Sequence, residues 1–181
     1  MYIPSKLHNS LTEKPFSHCN ICENSLHETE YLIEKAYKRF DNDLGEELLF
    51  EVAICLPCIY TMRGQLSTES LLRIEDLFKE KEMAMQQQPE LLEKARQQPL
   101  HYCLLSGKSV DHCKSYQVYA RCSGDEISQQ QLYILGDSIL SEIQESLSKS
   151  TKEELERFTD EHVGGPPELK KLLNSGEVIL F

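Results

Sequence analysis

The chain has 181 residues, enough for one ordinary domain or two small ones. Hydrophobic residues at 40% and charged residues at 27% make a globular composition and exclude wholesale disorder; a formal net charge of -11 repels phosphate backbones and disfavours nucleic acid as the main partner. No apolar run approaches the ~20 residues that cross a bilayer, and Met1 to Ser10 lack a basic start followed by a long apolar stretch, so the expectation is a soluble, cytoplasmic protein with no membrane partner.

Taken in chain order, residues 1–15 read as an extended arm, with Pro4 and Pro15 limiting helix. His18 to Cys22 is a short knuckle. Tyr31 to Lys38 alternates and predicts a strand, Asp41 to Gly45 a turn, and Leu48 to Ile54 the returning strand, rich in apolar and β-branched residues. Cys55-Leu-Pro-Cys58 opens a helix expected to run to about Leu66. A second, amphipathic helix over Thr68 to Met83 places Leu71, Ile74 and Phe78 on one face.

Residues 84–100 carry Gln86-Gln-Gln-Pro89 and Gln97-Gln-Pro99 around a short helical piece and predict a linker. A second mixed segment fills 101–163. Gly164-Gly-Pro-Pro167 then breaks the chain before a short helix at Glu168 to Leu173 and an apolar end, Val178 to Phe181. The expected division is therefore 1–83, 84–100, 101–163 and a tail at 164–181, with the apolar end packing on its own domain in preference to a partner's groove or sheet edge.

Seven cysteines are an odd number, and four of them form Cys19-x2-Cys22 and Cys55-x2-Cys58, separated by 32 residues. In a reducing compartment such arithmetic favours metal ligation over disulfides. Zinc takes four soft donors in a tetrahedron, and a two-residue gap lets both sulfurs of a pair face one ion. The helix opening at the second pair favours the negative charge of thiolates. Redox chemistry needs only one such pair, and four plain buried thiols would not demand this spacing. Iron fits a four-thiolate site as well as zinc does by geometry alone. His18 beside Cys19 is an alternative ligand, weaker than any of the four cysteines. Four cysteines leave no open coordination position, so Cys19, Cys22, Cys55 and Cys58 predict one structural ion and no catalytic one.

The order of parts, a knuckle, a hairpin and a second pair at a helix start, resembles the treble-clef zinc-finger group over residues 19 to about 66. The resemblance implies a structural zinc with Cys19 and Cys22 on the knuckle and Cys55 and Cys58 at the helix. The 32-residue spacing is longer than in compact members of that group.

The second half repeats the first. Cys19-Asn-Ile-Cys-Glu-Asn-Ser-Leu26 lines up with Cys103-Leu-Leu-Ser-Gly-Lys-Ser-Val110 at an offset of 84, Tyr31-Leu-Ile-Glu34 with Tyr116-Gln-Val-Tyr119 at 85, and Leu66-Ser67 with Leu147-Ser148 at 81. The change of offset from 85 to 81 predicts a loop four residues shorter in the second copy. Cys22 then corresponds to Ser106, Cys55 to Gly136 and Cys58 to Ile139, and one remaining cysteine cannot hold zinc. The apolar run Ile134, Leu135, Ile139, Leu140, Ile143 and Leu147 is expected to pack in place of the ion. Thr151-Lys-Glu-Glu154 reads as a capping box opening the last helix.

The expected fold is therefore α+β, two tandem treble-clef-like units of hairpin plus helices, the first zinc-bound and the second metal-free. A second metal site from Cys103, Cys113 and Cys122 with His101 and His112 lacks a knuckle spacing, and a nucleophile pair of Cys103 with either histidine lacks an assignable third group. Function reads first as a zinc-stabilised interaction or regulatory module whose partner is another protein or a second copy. An enzyme with a site between the units comes next, and a nucleic-acid-binding zinc module last. No HExxH, Gly-x-Ser-x-Gly or phosphate-cradling loop is present.

Overall fold

The computed structural model describes residues 2–40 and 45–163. The turn expected at Asp41 to Gly45, apart from Gly45 itself, and everything expected of 164–181 lie outside those residues. The chain folds as α+β, four antiparallel strands with helices. The strands are β1 (Glu30–Arg39), β2 (Glu46–Cys55), β3 (Ser115–Ser123) and β4 (Glu126–Gly136). They lie in one sheet of order β2-β1-β3-β4. The first strands of the two hairpins therefore meet in the middle, from Glu30 opposite Ser123 to Lys38 opposite Ser115. Tyr37 and Tyr116 face each other there, with stacked rings 5.2 Å apart.

Strand periodicity assigns each side chain to a face. Ile33, Ala53, Val118 and Ile134 lie on one face in successive strands, and all are sealed from solvent. The N-terminal arm adds Ile3, Leu7 and Phe16 to the same core. The arm is not wholly extended, because Ser5–Leu7 forms a 3-10 turn, and that turn helps bury Leu7 completely. Lys35 also lies on this face, nearly buried, and is held by Glu51 at 2.8 Å and by the carbonyl of His8. A buried charge persists only with such partners.

The opposite face carries Leu32, Tyr119, Tyr133 and Leu135 and meets the helices. These are α1 (Leu56–Arg63), α2 (Thr68–Gln86), α3 (Pro89–Gln97), α4 (Asp137–Ser146) and α5 (Lys149–Phe158). Ile139, Leu140 and Ile143 of α4 pack with Tyr119 and Leu135, and Ile74, Leu77 and Phe78 of α2 close in on them. The last turn of α2 and all of α3 fall in the stretch expected to be a linker, and Met85 and Ala95 within it are buried. Among the described residues no helix is long and apolar enough to cross a membrane.

The capping of α5 corrects the sequence expectation. The cap is Ser148, whose hydroxyl accepts from the Thr151 amide, and the helix starts at Lys149. Thr151 is fully buried and its hydroxyl accepts instead from the amide of Ser67, at 3.0 Å. The Thr-x-x-Glu pattern also fits a first turn in which the threonine serves a neighbouring helix, and only tertiary packing separates the two.

Candidate metal centre

Two separate pieces of backbone bring the four cysteines together. The first is a tight turn: the Cys19 amide donates to Asn24 O at 2.9 Å and the Glu23 amide to Cys19 O at 3.0 Å. Glu23 adopts φ 59°, the left-handed region a knuckle needs to reverse in so few residues. The second is the end of β2, where the strand passes into α1 with Cys55 as N-cap and Pro57 in the first turn. Asn20 ties the two: its amide donates to Ala53 O at 2.9 Å, and its side-chain oxygen accepts from the Ala53 amide at 2.7 Å.

The four sulfurs all lie within 4.8 Å of one another, and Cys22 Sγ is 3.7 Å from Cys55 Sγ. A tetrahedral ion with metal–sulfur bonds near ~2.3 Å has sulfurs ~3.8 Å apart along its edges, so the donor set fits an ion of zinc's size. Cys19 and Cys55 are buried, Cys58 is half-buried and Cys22 faces solvent.

The electrostatics suit a cation. Burial pushes the Cys19 thiol up, but the amides of Cys22, Cys55 and Ile21 outweigh it and bring the group down to about 7. The Ile21 and Cys55 amides each reach Cys19 Sγ at 3.4 Å. Cys58 is pushed above the ordinary thiol range, by burial first and then by the neighbouring sulfurs of Cys55 and Cys22. Cys55 is raised as well, again chiefly by burial. Four sulfurs this close cannot all ionise unless a cation shares them, and metal binding releases their protons.

His18 stands apart. It is exposed, and its ring nitrogen bonds to Ser17 Oγ at 2.9 Å. Among the described residues the four cysteines form the one group of three or more metal-ligating side chains. Cys103, Cys113, Cys122, His101 and His112 therefore do not gather into a second site. Neither histidine hydrogen-bonds Cys103 among the described residues, so the nucleophile pair has no geometry behind it.

Cys103 sits in a turn whose backbone hydrogen bonds repeat those of the first. Its amide donates to Lys108 O at 2.8 Å, and the Gly107 amide donates to Cys103 O at 2.9 Å. Gly107 has φ 65°, beside 59° at Glu23. Cys103 Sγ accepts from the Gly136 amide at 3.4 Å, as Cys19 Sγ does from Cys55. The Leu104 amide donates to Ile134 O at 2.9 Å, as Asn20 does to Ala53. A Cβ placed on Gly136 would meet Cys113 Sγ at 2.8 Å, so the thiol of Cys113 fills the room a side chain there would need. Burial raises that thiol to about 11, which keeps it protonated in place. Sequence reasoning named Gly136 but missed Cys113 as its filler, because the two are far apart in sequence and share no local pattern.

Compared with protein-family models, with curated proteins and with solved structures, the chain matches none.

Proposed function

We propose that the chain is a zinc-stabilised interaction module of two treble-clef-like units, in which Cys19, Cys22, Cys55 and Cys58 hold one structural zinc. The observation that carries this reading is the convergence of four sulfurs within 4.8 Å, from a knuckle and from a helix start. A four-cysteine set fills every position of a tetrahedral ion, so zinc here would add folding free energy and leave substrate nowhere to bind.

The second unit is read as a metal-free copy. Its support is the shared set of turn, strand and helix positions: Cys103 takes the place of Cys19, Gly136 of Cys55 and the buried Ile139 of Cys58. Packing of Ile139, Leu140 and Ile143 and the Cys113 thiol do there what the ion does in the first unit. The two copies are joined edge to edge through β1 and β3. With the metal assigned to folding, the working surfaces are those around and between the units, and the expected partner is another protein.

The test is metal analysis of the purified chain. About one zinc per chain, lost together with the fold on treatment with a strong chelator, is the expected result. A metal-free chain with an intact fold would overturn the zinc reading. Crosslinking in the native host, repeated with zinc-loaded and chelated protein, tests the interaction role, which predicts a discrete partner only for the loaded form.

A further inference from the structure

The four clustered sulfurs are not equally open to solution. Cys22 is exposed and Cys58 half-buried, while Cys19 and Cys55 are buried. The three cysteines outside the cluster, Cys103, Cys113 and Cys122, are buried as well. An oxidant in solution therefore meets Cys22 first, since thiol oxidation follows access as well as thiolate character.

Behind Cys22 stands Cys55. Their sulfurs are 3.7 Å apart, across the gap between the knuckle and the end of β2. Side-chain rotation has to close that gap to the ~2.05 Å of a disulfide. Within the knuckle the alternative partner is Cys19, whose sulfur already accepts from the amides of Ile21 and Cys55, each at 3.4 Å. A Cys19–Cys22 bond would turn that sulfur away from both amides. A Cys22–Cys55 bond leaves them in place. It also leaves the two bonds between Asn20 and Ala53, neither of which involves sulfur.

We propose that the cluster is a peroxide-responsive switch, in which oxidation joins Cys22 to Cys55 and expels the metal while the first unit stays folded. The proposal rests on the zinc reading for the ion it releases, and on the sulfur geometry alone for the pairing. The Cys22 thiolate attacks one oxygen of a hydroperoxide and becomes a sulfenic acid; the O–O bond breaks, and the departing oxygen takes a proton. The Cys55 thiolate then attacks the Cys22 sulfur and displaces hydroxide, which takes a second proton and leaves as water. Two electrons pass from the sulfurs to the peroxide. Cys19 and Cys58 are left, too few donors to fill the four positions of the ion.

Ion and disulfide make the same connection, from the knuckle to the end of β2. A covalent link between residues far apart in sequence constrains the unfolded chain, so the disulfide takes over as the staple. It does not replace the tie to Cys58. That residue lies in α1 and lines a groove with Ile21 and Phe158. Release of the ion frees the start of α1 from the knuckle, and the surface around this groove changes with the redox state.

The test treats the zinc-loaded chain with a small excess of hydrogen peroxide beside a metal-binding dye. Free thiols are then blocked, and disulfides are mapped by mass spectrometry of a non-reducing digest. The expected result is about one zinc released per chain, one disulfide between Cys22 and Cys55, unoxidised Cys103, Cys113 and Cys122, and an unchanged far-UV circular dichroism spectrum. Reductant and zinc together should restore the starting state. Cys22→His supplies a fourth zinc ligand without the exposed thiol, and its zinc release should slow ~10-fold or more. A bond within either Cys-x2-Cys pair, zinc retained while Cys22 is oxidised, or loss of the fold on oxidation would each overturn the switch and leave the zinc reading standing. A chain purified without zinc would overturn both.

Discussion

Ser67 Oγ lies 2.9 Å from Ser148 Oγ, and around this contact two helices cap each other. Ser67 accepts from the Ser70 amide at the start of α2, and Ser148 from the Thr151 amide at the start of α5. The backbone is served crosswise: the Ser67 amide donates to Thr151 Oγ1 at 3.0 Å, and the Ser148 amide to Ser70 Oγ at 2.8 Å. Ser70 and Thr151 are fully buried, so water cannot stand in for either hydroxyl. Thr151→Val should cost about 1–3 kcal/mol, since it strips the Ser67 amide of its acceptor, and Ser70→Ala should cost a similar amount through Ser148. Because the four hydroxyls form one network, the double variant should depart from additivity by ~0.5 kcal/mol or more in urea unfolding. Strict additivity would mean that the two caps act independently.

Replacement of cysteines separates the two halves. Cys55→Ser removes one of the four sulfurs that converge at the end of β2, and the zinc reading predicts loss of the ion and of the cooperative fold. Since β1 is paired with β2 on one edge and β3 on the other, disruption should spread across the sheet and appear as one transition. Cys103→Ser changes a sulfur that accepts the Gly136 amide, a task a hydroxyl can also perform. It should cost ~1 kcal/mol and leave the zinc content at one per chain. Metal analysis and circular dichroism on both variants decide it; equal damage from both would contradict the division of roles.

Glu23 holds a left-handed φ of 59° that Gly107 adopts, at 65°, in the matching turn. An L-residue with a Cβ is strained there by about 1 kcal/mol, and glycine is not. Glu23→Gly should therefore raise stability by ~0.5–1 kcal/mol, less the entropy glycine loses on folding. Gly107→Ala should do the reverse and more, because its Cβ would also press on Leu91 Cβ at 3.0 Å. Thermal unfolding of the two single variants is the measurement. A destabilising Glu23→Gly would show that the glutamate side chain does something in the turn beyond tolerating it.

These residues also mark what was legible beforehand. The hairpin strands and the two cysteine pairs were, because alternation and the two-residue gap are local patterns read within ten residues. The convergence of Cys19 and Cys22 with Cys55 and Cys58 followed from the chemistry of four thiols. The pairing of β1 with β3 was not legible, since nothing in Glu30–Arg39 names a partner eighty residues on. The role of Thr151 was misjudged for the same reason: its hydroxyl answers to Ser67, in another helix. The cavity between the sheet and helices α1 and α2, beside Tyr119, was out of reach too, being lined from β1, β3, β4, α1 and α2 by residues that share no motif.

Alkaline pH should expose the buried thiols. Cys122 is raised from an ordinary 9.0 to about 11, mainly by burial, against a smaller downward pull from its hydrogen bond with Tyr31. Above pH 9 the unfolded chain gives up this proton while the folded chain keeps it, so the unfolded state binds fewer protons and stability falls as pH rises. The loss runs from about pH 9 to about 11 and then levels, at no more than ~1.4 kcal/mol per pH unit for one thiol. Cys113 contributes in the same sense and over the same window. Tyr31 and Tyr116 add to it, since burial raises both above the ordinary phenol range. Cys122→Ala removes one of these protons without touching the four clustered cysteines. Its stability, followed by urea unfolding at steps from pH 8.5 to 11, should fall less steeply than that of the parent, whatever its starting value. Parallel pH profiles for the two proteins would mean that the Cys122 thiol ionises alike in the folded and unfolded chains, and that its burial on β3 does not hold the proton.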